Sequence, residues 1–195
     1  QGAGVLAALS VKMKKKVREV PVRMVQEELL KAKAYLIPFV DVKPDDPHWE
    51  AIQRVGVTGI LKGTGKAEGW GNKMFFYPDS LARGMEFAPG ISRYARRYFN
   101  NMGIIRTADT VTVLAVFRLI SRIRPFFKTP EFRSIQKVED LAPLWKNWGM
   151  GEFSPQRILT RKELCIYLNN CLLLWGSKNV WMDLQGALHF QTSQF

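Results

Sequence analysis

A short pattern occurs twice in the chain, and this repetition constrains the fold more than any other feature of the sequence. Each copy has an aromatic residue, a proline two positions later, an aliphatic residue and then an arginine, and the copies begin at Phe76 and Phe153. A pattern that recurs along one chain is typical of supersecondary units that bury their apolar faces against one another. The chain is therefore predicted to contain repeated units of similar structure.

The second copy also carries a signal for the start of a helix. Thr160 can accept a hydrogen bond from the first helical turn, and Glu163 follows at the spacing of a capping box. Apolar residues at helical spacing predict further helices. The predicted helical segments are residues 3–13, 22–34, 48–57, 91–102, 109–123 and 160–174. The expected fold class is mainly α: a pseudo-repeated bundle of helix-loop-helix units with short extended segments.

The repeated pattern and the residues before its first copy resemble the S-layer homology repeat. That family has Phe-x-Asp-Val, a helix with a tryptophan, a Gly-Ile turn, Phe-x-Pro and then Thr-Arg-x-Glu before a second helix. The matching positions are Phe39, Asp41, Val42, Trp49, Gly59, Ile60, Gly63, Phe76, Pro78, Arg83 and residues 153–164. In the first copy Ala82 stands where threonine is usual, and Glu86 comes three rather than two residues after Arg83. Residues 94–120 are a candidate for a degraded middle repeat.

The resemblance implies a place for a ligand. In S-layer homology modules the arginine of Thr-Arg-x-Glu is associated with cell-wall glycan, and Arg161 carries this motif intact. Guanidinium groups pair with anionic groups in a fixed geometry, and aromatic faces pack on sugar rings. The candidate ligand-binding residues are therefore Trp49, Trp70, Arg83 and Arg161. The alternative is that the arginine side chains fasten loops between repeats.

The first 40 residues resemble part of another family, the bacterial FAD-dependent oxidoreductases. Gln1-Gly2-Ala3-Gly4 opens a helix of small residues, and a segment that begins Val20-Pro21-Val22 follows it. In that family a Gly-Gln-x-Ala-Gly helix presents its amino end to the flavin, and the unpaired N–H groups of a helix end attract electron-rich groups. The resemblance implies that Gln1, Gly2, Ala3 and Gly4 border a FAD site in a longer parent protein.

FAD is not expected to bind to this chain in isolation. The sequence lacks the glycine-rich strand-turn-helix that holds the pyrophosphate of a dinucleotide. The glycine-rich segment 63–72 lacks the hydroxyl residue and glycine spacing of a phosphate-binding loop, and is expected to be a structural turn. We therefore expect two parts: residues 1–37, a helical remnant of a preceding flavin-binding domain, and residues 38–195, a helical module.

The sequence predicts no catalytic residue and no metal site. His48 and His189 lie far apart, without cysteines or carboxylates at ligand spacing. Cys165 and Cys171 lie in one apolar helical segment, where two buried thiols are favoured over a disulfide. Apolar runs are all shorter than the roughly 20 residues that span a bilayer, so no transmembrane segment is expected.

The chain carries a large excess of positive charge. It has 29 Lys and Arg against 17 Asp and Glu, a formal net charge of +12. Such an excess favours nucleic acid, anionic glycan or an acidic protein surface as partner. Arginines and aromatic residues alternate between positions 93 and 124, but no nucleic-acid-binding motif accompanies them. These arginines are expected to form a solvated basic face or to dock on a preceding domain, and nucleic acid is not an expected partner.

Together the resemblances predict a non-catalytic carboxy-terminal accessory module of a FAD-dependent oxidoreductase, inactive when isolated. Some members of that family carry an S-layer-like tail. The alternative is a module that binds envelope or other anionic glycan, and the resemblance suggests a periplasmic or envelope location. The helix at residues 3–13 is expected to dock on the module through Val5, Leu6 and Leu9, or to pack on a second copy in a homo-oligomer.

Overall fold

The computed structural model describes residues 1–98, 109–122, 128–174, 180–182 and 188–190. Over these residues the structure is mainly helical, as predicted. The α-helices are α1 Gly2–Met13, α2 Val22–Lys31, α3 Trp49–Thr58, α4 Gly84–Tyr98, α5 Val113–Ser121, α6 Pro130–Arg133, α7 Ala142–Asn147 and α8 Arg161–Cys171. Short 3-10 helices lie at Val17–Glu19 and Val138–Leu141. The strands form two antiparallel pairs, β1 Thr64–Glu68 with β2 Gly71–Phe75 and β3 Val180–Met182 with β4 Leu188–Phe190.

Helices α1, α2, α3, α5 and α8 lie where helical spacing predicts them, but α4 begins earlier than expected. It starts at Gly84 rather than at residue 91 and contains Pro89. Proline and glycine are unfavourable inside helices, so Pro89 and Gly90 conceal this start in the sequence. Tertiary packing requires Gly90, because a Cβ there would lie 2.0 Å from the carbonyl oxygen of Ile60. Helices α6 and α7 are too short to produce an apolar period and are absent from the prediction.

Three short extended segments form a closed ring of β-bridges. Each segment pairs with the other two, through the bridges Leu81–Thr160, Arg83–Thr110 and Thr112–Ile158. The middle residue of each segment, Ala82, Val111 or Leu159, is buried. Each segment leads directly into a helix, respectively α4, α5 or α8. The two copies of the sequence pattern therefore occupy equivalent places in the ring, and a third segment-helix unit completes it. Gly103-Ile104 of the candidate middle repeat lie outside the described residues.

The ring corrects the alignment of the two copies. Gly84 and Arg161 are each the first residue of a helix, and the N–H of each donates to the carbonyl that precedes a neighbouring segment. Gly84, and not Arg83, is therefore the counterpart of Arg161, and Glu86 is the counterpart of Glu163. The prediction that Arg83 takes the place of the motif arginine was wrong, because the first copy has glycine there and places Arg83 at the capping position.

One apolar cluster forms the main core, and its largest members are aromatic. Trp49 from α3, Phe76, Trp145 from α7 and Tyr167 from α8 are almost completely buried in it. Helix α3 packs against α8, and the ring of Trp145 lies 5.5 Å from that of Tyr167 in an edge-to-face arrangement. The core therefore joins elements from both copies of the sequence pattern.

A second, smaller apolar cluster holds α1. Val5, Leu6 and Leu9 of α1 pack with Val25 of α2, so the residues expected to dock this helix do face a neighbour. Leu30 of α2 is fully buried in the main core. Helix α2 therefore contributes residues to both clusters. The domain boundary predicted after residue 37 separates residues that pack against each other in the main core.

The glycine-rich segment is a β-hairpin rather than a simple turn. Strands β1 and β2 pair in one antiparallel register that starts with Thr64 opposite Phe75. Gly69 has a φ of 63°, and with Trp70 it forms the two-residue turn that suits the twist of paired strands. Gly65 and Gly71 interrupt the alternation of side chains in these strands, which is why the sequence indicates only a turn.

Thr160 caps α8, as predicted. Its hydroxyl accepts a hydrogen bond from the N–H of Glu163 at 3.1 Å, and the Glu163 carboxylate accepts one from the N–H of Thr160 at 2.9 Å. We expect Thr160→Ala to lower the unfolding free energy in urea by about 1–2 kcal/mol, because an N–H in the first turn loses its partner. Ser134→Ala removes an exposed hydroxyl elsewhere, and an equal loss in that control would contradict the capping role.

Cys165 and Cys171 are free thiols buried in α8, which confirms the prediction. Burial raises the pKa of both thiols because it disfavours the charged thiolate. We expect neither to react with a thiol-specific disulfide reagent at pH 8 until the chain unfolds, and rapid labelling of the native protein would contradict this. Stability is expected to fall as the pH rises past about 8.5, since the unfolded chain then releases thiol protons that the folded chain keeps.

Candidate functional site

The guanidinium of Arg161 is buried, and it forms hydrogen bonds with residues in and around the first copy of the pattern. Nε donates to the carbonyl of Phe76 at 2.7 Å, Nη2 donates to the carbonyl of Lys62 at 2.5 Å, and Nη1 donates to the carboxylate of Glu86. The guanidinium carbon also lies 4.7 Å from the centre of the Phe76 ring. Arg161 therefore fastens loops of the neighbouring unit, which is the alternative that the sequence left open for it.

The other predicted ligand residues do not form one exposed site with Arg161. Trp49 is fully buried in the core, so both faces of its ring are covered by protein. Its assignment as a ligand residue was wrong, because the apolar face of α3 points inward. Trp70 is fully exposed in the hairpin turn, and Arg83 is exposed in the ring of bridges. Two of the four predicted residues are therefore interior and two lie on the surface.

A groove opens between the loop after α3 and helix α4. Its lining includes Lys62 and Gly63 on one side and Met85, Glu86 and Arg93 on the other. Its volume is about 280 Å³, just below the range of about 300–1,000 Å³ that is usual for ligand pockets. Since Lys62 and Glu86 both bind the guanidinium of Arg161, that buried group fixes the two sides of the groove relative to each other.

Glycines determine the shape of the groove. Gly59 ends α3 in the left-handed conformation with a φ of 75° and turns the chain toward the groove. A Cβ on Gly63 would lie 2.6 Å from the Phe39 ring, and one on Gly90 would meet the backbone of Ile60. A side chain at position 90 would push the loop away from α4, whereas one at position 63 would push it away from Phe39 and Met74.

The groove presents more positive than negative charge. Lys62 and Arg93 are exposed, and Glu86 is the single carboxylate among the lining residues. Glu86 pairs with Arg161, so the buried guanidinium offsets its charge and leaves the two exposed cations in excess. Ammonium and guanidinium groups on facing walls can bind the carboxylate, sulfate or phosphate of a ligand. Sequence reasoning missed this pair because Lys62 and Arg93 lie in different elements and share no motif.

Gln1, Gly2, Ala3 and Gly4 form the exposed amino end of α1. No side chain caps this end, and a Cβ on Gly2 or Gly4 would meet no atom within 4 Å. The described part of the chain packs α1 against α2 and the first 3-10 helix. The N–H donors of one helix end form only an edge of a dinucleotide site.

The described residues contain neither a metal-ligand cluster nor a membrane-spanning helix. No group of three or more His, Cys, Asp or Glu there is placed to hold a metal ion, and no helix there is long and apolar enough to cross a membrane. Arg93, Arg118 and Arg122 of the arginine-rich stretch are exposed, whereas its other arginines lie outside the described side chains. Among the described residues, the groove beside α4 is a place where two exposed cations from different elements line one cavity.

Comparisons with protein-family models, curated proteins and solved structures find no match for this chain. The fold and the site define it as a mainly helical module with a ring of three segment-helix units and a cationic groove.

Proposed function

We propose that this chain is a non-catalytic module, resembling S-layer homology proteins, that binds an anionic envelope glycan in the groove between Lys62 and Arg93. The observation that carries the proposal is the excess of cationic side chains on groove walls that Arg161 holds together. An acidic sugar offers a carboxylate for these cations and ring faces for Met85 and Pro89. The ring of three segment-helix units supports the resemblance to a repeated module.

Titration calorimetry of the full chain with digalacturonate, a short acidic sugar, tests this proposal. We expect binding that weakens as the salt concentration rises, since exposed charges are screened. Lys62→Ala and Arg93→Ala should each weaken binding about tenfold, or about 1.4 kcal/mol. Lys15→Ala removes an exposed charge outside the groove and should leave the affinity unchanged. Equal weakening in this control, or equal affinity for neutral maltose, would contradict the proposal.

A second candidate function is that of an accessory module of a FAD-dependent oxidoreductase, inactive alone, in which α1 docks on a preceding flavin-binding domain. The exposed side of α1 carries small residues and Val11, which is 80% exposed, and exposed apolar surface often marks an interface. The reading frame upstream of Gln1 should then encode a glycine-rich dinucleotide fingerprint, and a frame without one would overturn this candidate. The isolated chain should retain no flavin absorbance after gel filtration with FAD.

A further inference from the structure

The β1–β2 hairpin starts at the groove and is exposed along both strands. Thr64, its first residue, is part of the groove lining, and Trp70 is fully exposed in the turn at the other end. In the second copy of the sequence pattern, Gly149 and Phe153 are too close in sequence for a hairpin between them. The hairpin therefore distinguishes the first copy from the second.

Two lysines face each other across the hairpin. Lys66 and Lys73 are cross-strand partners, and they lie on the same face as Thr64 because alternate residues of a strand share a face. Like charges directly opposite each other destabilise a strand pair. Lys73 lies 3.1 Å from Glu68, whereas no described carboxylate lies within ion-pair distance of Lys66. Glu68 lies on the same face and offsets part of this repulsion, and an anion bound beside Lys66 would offset the rest.

The aromatic side chains beside Lys66 are held in place by a strained backbone. The Lys66 Nζ lies 5.8 Å from the ring centre of Phe75 and 5.2 Å from that of Tyr77, and the two rings are stacked at 5.6 Å. Tyr77 has a φ of 55°, which is unfavourable for a residue with a side chain. The carboxylate of Asp41 accepts hydrogen bonds from the N–H groups of Phe76 and Tyr77 at 2.8 and 2.6 Å and maintains this conformation. Strain that the surrounding structure maintains is concentrated at functional sites.

We propose that this hairpin face is a second contact surface for the glycan bound in the groove, so that the ligand is an extended acidic polymer. Lys66 and Lys73 bind acidic groups of the sugar units that follow the one in the groove, and Trp70 packs on a sugar ring near the turn. This inference rests on the proposed function, because the groove supplies the first contact. The ammonium groups of Lys66 and Lys73 favour an anionic polymer, and the exposed indole of Trp70 favours a polymer whose rings have apolar faces.

The composition of the hairpin favours a glycan over a lipid bilayer. Its opposite face carries Gly65, Ala67, Asn72 and Met74, which together offer little apolar surface. Stable membrane association takes more than one apolar or basic anchor of substantial size, and Trp70 is the one aromatic side chain at the turn. A sugar polymer needs only stacking and charge contacts along the exposed face.

Titrations of the full chain with digalacturonate and with polygalacturonate separate the two contact surfaces. We expect Trp70→Ala, and the double variant Lys66→Ala/Lys73→Ala, to leave the affinity for digalacturonate unchanged and to weaken polygalacturonate binding about tenfold, or about 1.4 kcal/mol. Lys62→Ala should weaken the binding of both ligands. The hairpin side chains are exposed, so these variants are expected to fold as the wild type does, which circular dichroism checks.

Matched controls lie on and beside α1. Val11→Ala removes another exposed apolar side chain, and Lys14→Ala/Lys15→Ala removes two exposed charges; neither should affect the polymer. If the hairpin variants bind polygalacturonate as the wild type does while Lys62→Ala weakens it, the hairpin proposal is overturned and the proposed function stands. If the wild type binds neither ligand, both fail. Loss of binding to phosphatidylglycerol vesicles in Trp70→Ala, with polymer affinity unchanged, would also overturn the hairpin proposal.

Discussion

Replacing Arg161 with methionine is expected to lower the free energy of unfolding by about 3 kcal/mol, measured in urea with tryptophan fluorescence as the signal. The variant leaves the buried carbonyl of Phe76 and the partly buried carbonyl of Lys62 without their donor, and an unsatisfied buried polar group costs about 1–3 kcal/mol. Glu86 contributes less to the loss, because its side chain is 46% exposed and can be hydrated. Arg161→Lys should recover little stability, since an ammonium group lacks the planar arrangement of donors that reaches all three acceptors.

Lys162→Met is the matched control for this prediction. Lys162 is the next residue of α8, and its ammonium pairs at 3.0 Å with Asp79, whose side chain is 80% exposed. Exposed ion pairs contribute about 0–1 kcal/mol, so this variant should lose less than about 1 kcal/mol. A comparable loss in the two variants would show that Arg161 does not fasten the units. Because Arg161 variants are expected to be destabilised, binding is better tested at Lys62 and Arg93.

The second large effect is expected for Gly90→Ala, which should lower the free energy of unfolding by about 3 kcal/mol or prevent folding. The added Cβ would lie 2.0 Å from the carbonyl oxygen of Ile60 and 2.7 Å from its carbonyl carbon. These are backbone atoms, so the contact cannot be relieved by a side-chain rotation, and α4 would have to move away from the loop. Urea denaturation of the purified variant, or its yield of soluble protein, measures the effect.

Gly4→Ala is the control for Gly90→Ala, because it makes the same chemical change at a position where no loss of stability is expected. Gly4 lies in α1, and a Cβ there would meet no atom within 4 Å. Alanine is more favourable than glycine inside a helix by about 1 kcal/mol, so this variant should be as stable as the wild type or slightly more so. If Gly90→Ala is equally well tolerated, helix α4 does not approach Ile60 as closely as the structure indicates.

Sequence alone determined the features that depend on neighbouring residues. Thr160 and Glu163 mark the start of α8 because the cap and its partner lie within one helical turn. The apolar spacing of α2 predicts an amphipathic helix for the same local reason, and the nearly continuous apolar character of α5 predicts a central, buried helix. Phe76 and Phe153 each stand five residues before a bridged segment of the ring, at 81–83 and 158–160.

Only the tertiary structure decided what the candidate site contains, because burial and contact between distant residues depend on packing. The motif residues Arg161 and Trp49 have the chemistry of ligand-binding groups, yet packing encloses both. Lys62 and Arg93 have no shared motif, and they face one groove because Gly90 allows α4 to approach the loop after α3. A charged or aromatic side chain can bind a ligand only where the fold leaves it exposed, and that exposure is a property of the packed chain rather than of any local pattern.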